Sequence, residues 1–67
     1  MTNGVIQFGK KLREIRLKKS KSQGDVARIL GVHRSYISGL ERGRRNPSLL
    51  TVQKVAKALN ISPKELV

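Results

Sequence analysis

The chain has 67 residues, with 15 Lys and Arg against 4 Asp and Glu for a formal net charge of +11, and it contains no cysteine, no tryptophan, one Phe and one Tyr. Such a length builds one small core, since a chain of about 60 residues buries only about 60% of the surface it exposes when unfolded. That excludes a roomy enclosed active site, the lack of cysteine excludes disulfides and thiolate metal sites, and no apolar run approaches the ~18 residues of a membrane span.

Val5, Phe8, Leu12 and Ile15 recur at three- and four-residue steps, which places them on one stripe of a helix over about 5–18, behind the polar start Thr2-Asn3. Ser22 with Asp25 three residues on has capping-box spacing, and Val26, Ala27 and Leu30 give a second helix over 23–30 that Gly31 ends. After the turn Gly31-Val32-His33, Ile37 and Leu40 mark a third helix over 34–42, stopped by Gly43. Arg44-Arg45-Asn46-Pro47 reads as a basic loop. Ser48 then caps a fourth helix over 49–59, with Val52, Val55, Ala56 and Leu59 inward and Asn60 as its left-handed terminator. Ser62 at N-cap, Pro63 at N1 and Glu65 at N3 predict a last short helix over 63–66, with Leu66 and Val67 closing the core. Strand patterning, repeats and low-complexity linkers are absent, so the expectation is one all-α domain over 1–67, a compact set of five short helices.

So large a positive excess on a small body attracts polyanions, either nucleic acid or an anionic membrane. Two short helices joined by a tight glycine-containing turn have the dimensions of a helix-turn-helix, whose second helix enters the DNA major groove. With Ile37 and Leu40 set toward the core and about 100° advanced per residue, Ser35, Ser38, Gly39 and Arg42 point outward. Arg34 then stands at the exposed N-terminal end. A groove ~12 Å wide admits such a helix, and an arginine near its tip can reach guanine O6 and N7 with two hydrogen bonds.

These residues resemble a family. Ser22-Gln23, Val26-Ala27, Leu30-Gly31-Val32, Arg34-Ser35-Tyr36-Ile37-Ser38, Leu40-Glu41-Arg42-Gly43 and Arg45-Asn46-Pro47-Ser48-Leu49 look like the Cro and phage-repressor type helix-turn-helix domains, in register from about Ile6 to Leu66. Short stand-alone members include controller proteins of restriction–modification systems, which the run Arg34 to Leu49 resembles, and antitoxin-type autorepressors are similar too. The resemblance implies a DNA-binding transcriptional regulator, cytoplasmic and nucleoid-associated, that binds double-stranded operator DNA as a homodimer on half-sites about one helical turn apart. Carried over by position, Arg34, Ser35, Ser38 and Gly39 face the bases. Gln23, His33, Tyr36, Arg42, Arg44, Arg45 and Asn46 are the phosphate candidates. Arg16 and Glu41 match the family's ion pair between the first and third helices, and both sit at the rims of apolar stripes. His33 stands where the family prefers a Ser or Thr cap, Gly39 replaces a side chain that in many relatives reads a base, and Ser20-Lys21 replace a Gly and an apolar residue.

Seven of the twelve residues from Lys10 to Lys21 are basic, a run that is ordinarily a solvated helix face. Leu50 projects opposite the inward stripe of its helix, and with Leu49, Ile61, Leu66 and Val67 it forms a candidate dimer patch. Two other functions fit less well. A toxin-binding antitoxin would need a segment that 67 residues hardly leave, and a general binder of RNA or anionic membrane would need aromatic platforms or a spare apolar face. No enzyme is expected, because Asp25 and Glu65 are explained by capping, Glu41 by its ion pair, and a single His assembles no nucleophile–base set or metal site. No cofactor, membrane contact or small-molecule ligand is implied.

Overall fold

Four α-helices and a closing 3-10 turn follow one another in the computed structural model, which describes residues 3–67: α1 Asn3–Lys18, α2 Gln23–Leu30, α3 Arg34–Glu41, α4 Leu49–Leu59 and the turn Pro63–Leu66. Met1 and Thr2 lie outside the described residues. The core is made by Phe8 and Leu12 of α1, Val26 and Ala27 of α2, Ile37 and Leu40 of α3, Val52, Val55, Ala56 and Leu59 of α4, and Leu66 from the final turn. A fully buried Leu or Ile contributes roughly 1.5–3 kcal/mol of transfer free energy, so a single such cluster can carry a chain of this size.

Local chemistry sets the helix ends. Ser22 Oγ accepts from the Asp25 backbone N–H at 2.9 Å, while the Asp25 carboxylate accepts from the Ser22 backbone N–H at 2.9 Å, so two donors at the start of α2 are satisfied reciprocally. Hydrogen bonds donated to the carboxylate by Ser22, from its backbone N–H first and its hydroxyl second, hold the Asp25 carboxyl below its ordinary value. Gly31 and Asn60 end α2 and α4 in the left-handed region, at φ +74° and +58°. Ser20, in the turn after α1, also has a positive φ of 57°, which is where the family pattern has its Gly.

Several sequence expectations are corrected. The first helix begins two residues earlier, at Asn3, and the third ends at Glu41, with Arg42 as its C-cap at φ −87° and ψ −1°. The last element is not an α-helix, because the few residues after Ser62 close tighter bonds, from the Glu65 N–H to the Ser62 carbonyl at 3.0 Å and from the Val67 N–H to the Lys64 carbonyl at 3.5 Å. Leu66 is fully buried, but Val67 is 75% exposed and does not close the core. On α1 the buried line is Phe8, Gly9, Leu12 and Arg16, while Val5 and Ile15 are half-buried.

Gly9 explains how α1 seats against α3. A Cβ at Gly9 would lie 2.3 Å from the Leu40 carbonyl oxygen and 2.8 Å from that of Glu41. Only a residue without a side chain lets the two backbones approach so closely, and the approach fixes the C-terminal end of α3, which carries Glu41.

Candidate nucleic-acid interface

With Ile37 and Leu40 buried, α3 turns its other face outward. A shallow concavity of about 420 Å³ on that face is lined by Arg34, Ser35, Ser38 and Gly39, together with Arg42, Arg44 and Arg45 from the helix end and the loop after it. Thus all four base-facing candidates and three of the phosphate candidates share one surface. Arg34, Ser35, Arg42, Arg44 and Arg45 are exposed there, and Ser38 and Gly39 are half-buried.

The missing side chain at Gly39 has an occupant. A Cβ at this position would come within 2.9 Å of Arg45 Cγ, so the arginine of the loop lies across the middle turn of α3. Its guanidinium sits 5.5 Å from the centroid of the Tyr36 ring, within cation–π range. Tyr36 in turn places its hydroxyl 3.3 Å from Thr51 Oγ1, and Thr51 Oγ1 is 3.0 Å from Ser48 Oγ, the cap of α4. Sequence reasoning did not single out Thr51. The signal was there in its third position after the cap Ser48, which aims its backbone N–H at the cap oxygen at 3.1 Å.

Behind the concavity runs a polar chain. Arg16 Nε donates to Glu41 Oε2 at 2.6 Å and Arg16 Nη2 to Glu41 Oε1 at 3.0 Å, a two-pronged pair whose side chains are 8% and 3% exposed. Arg16 Nη1 also donates to the Lys21 carbonyl at 2.9 Å, tying down the turn before α2. The hydrogen bond to Glu41 raises the Arg16 pKa beyond its ordinary value, burial opposes that, and the carboxylate's charge adds to the rise, so Arg16 is cationic at any working pH. Gln23 Nε2 donates to Glu41 Oε1 at 3.0 Å, and Gln23 Oε1 accepts from Arg34 Nη1 at 3.1 Å.

The remaining candidates are dispersed. His33 is exposed and makes no side-chain cap bond to α3; it borders a depression shared with Arg34, Arg28 and Gly24. Asn46 is not brought to the arginine concavity, since it lines a separate hollow with Val5, Phe8 and Pro47. Of the dimer candidates, Leu49 and Leu50 are 74% and 58% exposed at the start of α4, Val67 is exposed and Ile61 half-buried against the core. Leu66 cannot belong to a dimer patch, because it is fully buried within its own chain. Among the described residues no group of three or more His, Cys, Asp or Glu side chains comes together, and no helix is long and apolar enough to cross a membrane.

Comparison with known proteins adds to this geometry. Residues 12–66 match the protein family described as Helix-turn-helix. Control protein C.BamHI of Bacillus amyloliquefaciens is 49% identical over 69 residues, covering 100% of this chain and 85% of that protein. The crystal structure of the restriction-modification controller protein C.AhdI from Aeromonas hydrophila superposes with a TM-score of 0.90 at 48% identity, over 94% of this chain and 96% of that one. The restriction-modification controller protein C.Esp1396I, solved as a tetramer in complex with its natural 35 base-pair operator, superposes with a TM-score of 0.86 at 28% identity, over 98% of this chain and 97% of that one.

Proposed function

The chain belongs to the helix-turn-helix family of the Cro and phage-repressor type, and from that premise we propose that it is a transcriptional regulator that binds double-stranded DNA sequence-specifically, as a homodimer on a palindromic operator. It acts as a controller protein of the kind its relatives are named for, and it performs no chemistry on the DNA. The observation that carries this reading is the outward concavity in which the face of α3 and four arginines meet.

The division of labour follows from position. Arg34 and Ser35, exposed at the tip of α3, read base edges in the major groove, where an arginine fork matches guanine O6 and N7. Ser38 faces the pairs beside them, and Arg45, lying over Gly39 in place of the missing side chain, stands with them on the groove side. Arg42 and Arg44 flank that face and neutralise phosphates. Tyr36 and Gln23 stand beside the same path, and His33 lies at its N-terminal edge.

Dimerisation follows from helix length. The eight residues of α3 span about 12 Å, or roughly three to four base pairs, too few to define a site alone. Two copies one helical turn apart read twice that, and Leu49 and Leu50 offer the exposed apolar surface on which they meet. The C.Esp1396I tetramer on its operator supports an oligomeric binding mode.

Selection of bound duplexes from a random pool tests the reading. The expected output is a palindrome whose half-site centres lie about 34 Å apart. A pool that converges on no shared sequence overturns it.

A further inference from the structure

We infer that Gln23 is a positioning residue for the recognition arginine, and that through it Glu41 ties Arg34 to the buried Arg16–Glu41 pair; this rests on the reading of Arg34 as a base reader. The four side chains form one chain of hydrogen bonds, from Arg16 in the interior through Glu41 and Gln23 to Arg34 on the surface, with links of 2.6, 3.0 and 3.1 Å.

The chemistry of the chain admits one arrangement. Gln23 lies between an anion and a cation, so its amide nitrogen must face the Glu41 carboxylate and its amide oxygen the Arg34 guanidinium. Turning the amide over would set oxygen against carboxylate and N–H against guanidinium. Glu41 cannot drift, because it is 3% exposed and held by both prongs of Arg16. Gln23 cannot drift either, since it is the first residue of α2, immediately after the capping Ser22.

What this does for Arg34 follows from the donors left over. A guanidinium has five N–H groups, and one bond from Nη1 to Gln23 leaves four, enough for a two-pronged contact with guanine. The side chain is therefore held before DNA arrives, and less rotamer freedom is lost on binding. Gln23 fulfils this role whether or not its second amide hydrogen also meets a phosphate.

Gln23→Met tests the inference, because it keeps the length of the side chain while removing both hydrogen bonds. The variant folds, since Glu41 retains both prongs of Arg16. Two measurements decide. In the free protein, the NMR order parameter of the Arg34 Nε–H is expected to fall in Gln23→Met to that of exposed Arg44. On DNA, the affinity ratio between the selected operator and the same duplex with the guanine facing Arg34 replaced is expected to shrink roughly three- to tenfold, what one ordinary net hydrogen bond on a solvated surface is worth in a binding constant. In an Arg34→Ala background Gln23→Met should leave that ratio unchanged. If Gln23 serves only as a phosphate anchor, its loss weakens every duplex by the same factor with Arg34 order unaltered, and the inference is wrong. A wild-type protein without sequence preference removes the regulator reading and this inference together, whereas a discriminating wild type matched by Gln23→Met removes only the inference.

Discussion

Replacing Gly9 with alanine probes the contact that seats α3. The new Cβ would stand 2.3 Å from the Leu40 carbonyl oxygen, whereas a carbon and a carbonyl oxygen in comfortable contact are about 3.3–3.6 Å apart. Both neighbours are backbone, so relief requires the end of α3 to retreat by about 1 Å, loosening Phe8 and Leu12 from Ile37 and Leu40. Overpacking of this sort costs about 1–3 kcal/mol, and the better helix propensity of alanine returns about 0.5–1 kcal/mol, leaving a net loss of about 1–2 kcal/mol. For a domain of this length each kcal/mol moves Tm by about 4–8 °C, so thermal unfolding followed by circular dichroism should show a drop of roughly 5–15 °C. Gly39→Ala is the matched control. Its Cβ meets only the Arg45 side chain and no backbone, so a helix-propensity gain of about 0.5–1 kcal/mol is set against the loss of the Arg45–Tyr36 contact, worth about as much, and this variant should melt near the wild-type temperature. If Gly9→Ala melts at or above the wild-type temperature, or both variants fall by the same amount, the packing account is refuted.

Other perturbations test separate parts of the structure. Arg16→Met should lose about 3–5 kcal/mol by stranding Glu41, enough to unfold a domain of a few kcal/mol, and Arg16→Met with Glu41→Leu should recover most of it in urea titrations; a double variant no better than the single one would contradict the desolvation argument. Ser20→Gly should raise stability by about 0.5–1 kcal/mol, since a left-handed φ of 57° strains any residue with a Cβ, and a lower urea midpoint would speak against it. The Asp25 carboxyl is held below its unfolded value, so its contribution is present in full above the ordinary carboxylate pKa near 4 and disappears as pH falls through the folded value. The Tm gap between wild type and Asp25→Ala should accordingly be constant near neutrality and shrink on acidification; a gap that ignores pH rules this out. Glu at both Leu49 and Leu50 should give monomers by analytical ultracentrifugation with the fold retained, and persistence of the dimer would move the interface elsewhere.

Most of the fold was legible in the sequence because its signals act over four residues or fewer. Ser22 and Asp25 cap each other whatever lies across the domain, and Gly31 and Asn60 take left-handed backbone for reasons internal to their own turns. The apolar stripes of α2, α3 and α4 likewise name their buried faces directly. On α1 the periodicity gave a line through Val5 and Ile15, but the buried line runs through Gly9 and Arg16. Neither is apolar in the ordinary sense. Gly9 is inside because a backbone must fit there and Arg16 because a carboxylate awaits it, and both reasons lie on α3, more than twenty residues away. Val67 fails in the opposite direction, being apolar yet beyond the last turn that docks.

The candidate site was legible in its residues and not in its connections, and the difference is physical. Residue type says that an arginine has donors and a glutamine both donors and acceptors, but which partner takes them depends on distances between helices. Gln23, placed by resemblance among phosphate contacts, has both ends of its amide engaged within the protein. Gly39, which read alone is a weak helix residue without a side chain to offer, is the gap across which Arg45 reaches Tyr36. The count of 15 Lys and Arg overstates the free cations in the same way, because Arg16 is enclosed with Glu41 and Arg28 is paired with Asp25 at 3.3 Å. What remains unpaired by acids around α3, at Arg34, Arg42, Arg44 and Arg45, is a patch in which two of the four guanidiniums are already positioned by neutral neighbours, Gln23 and Tyr36. Neutral partners hold a cation in place without cancelling its charge, which leaves the full field of the patch directed at the polyanion it is to meet.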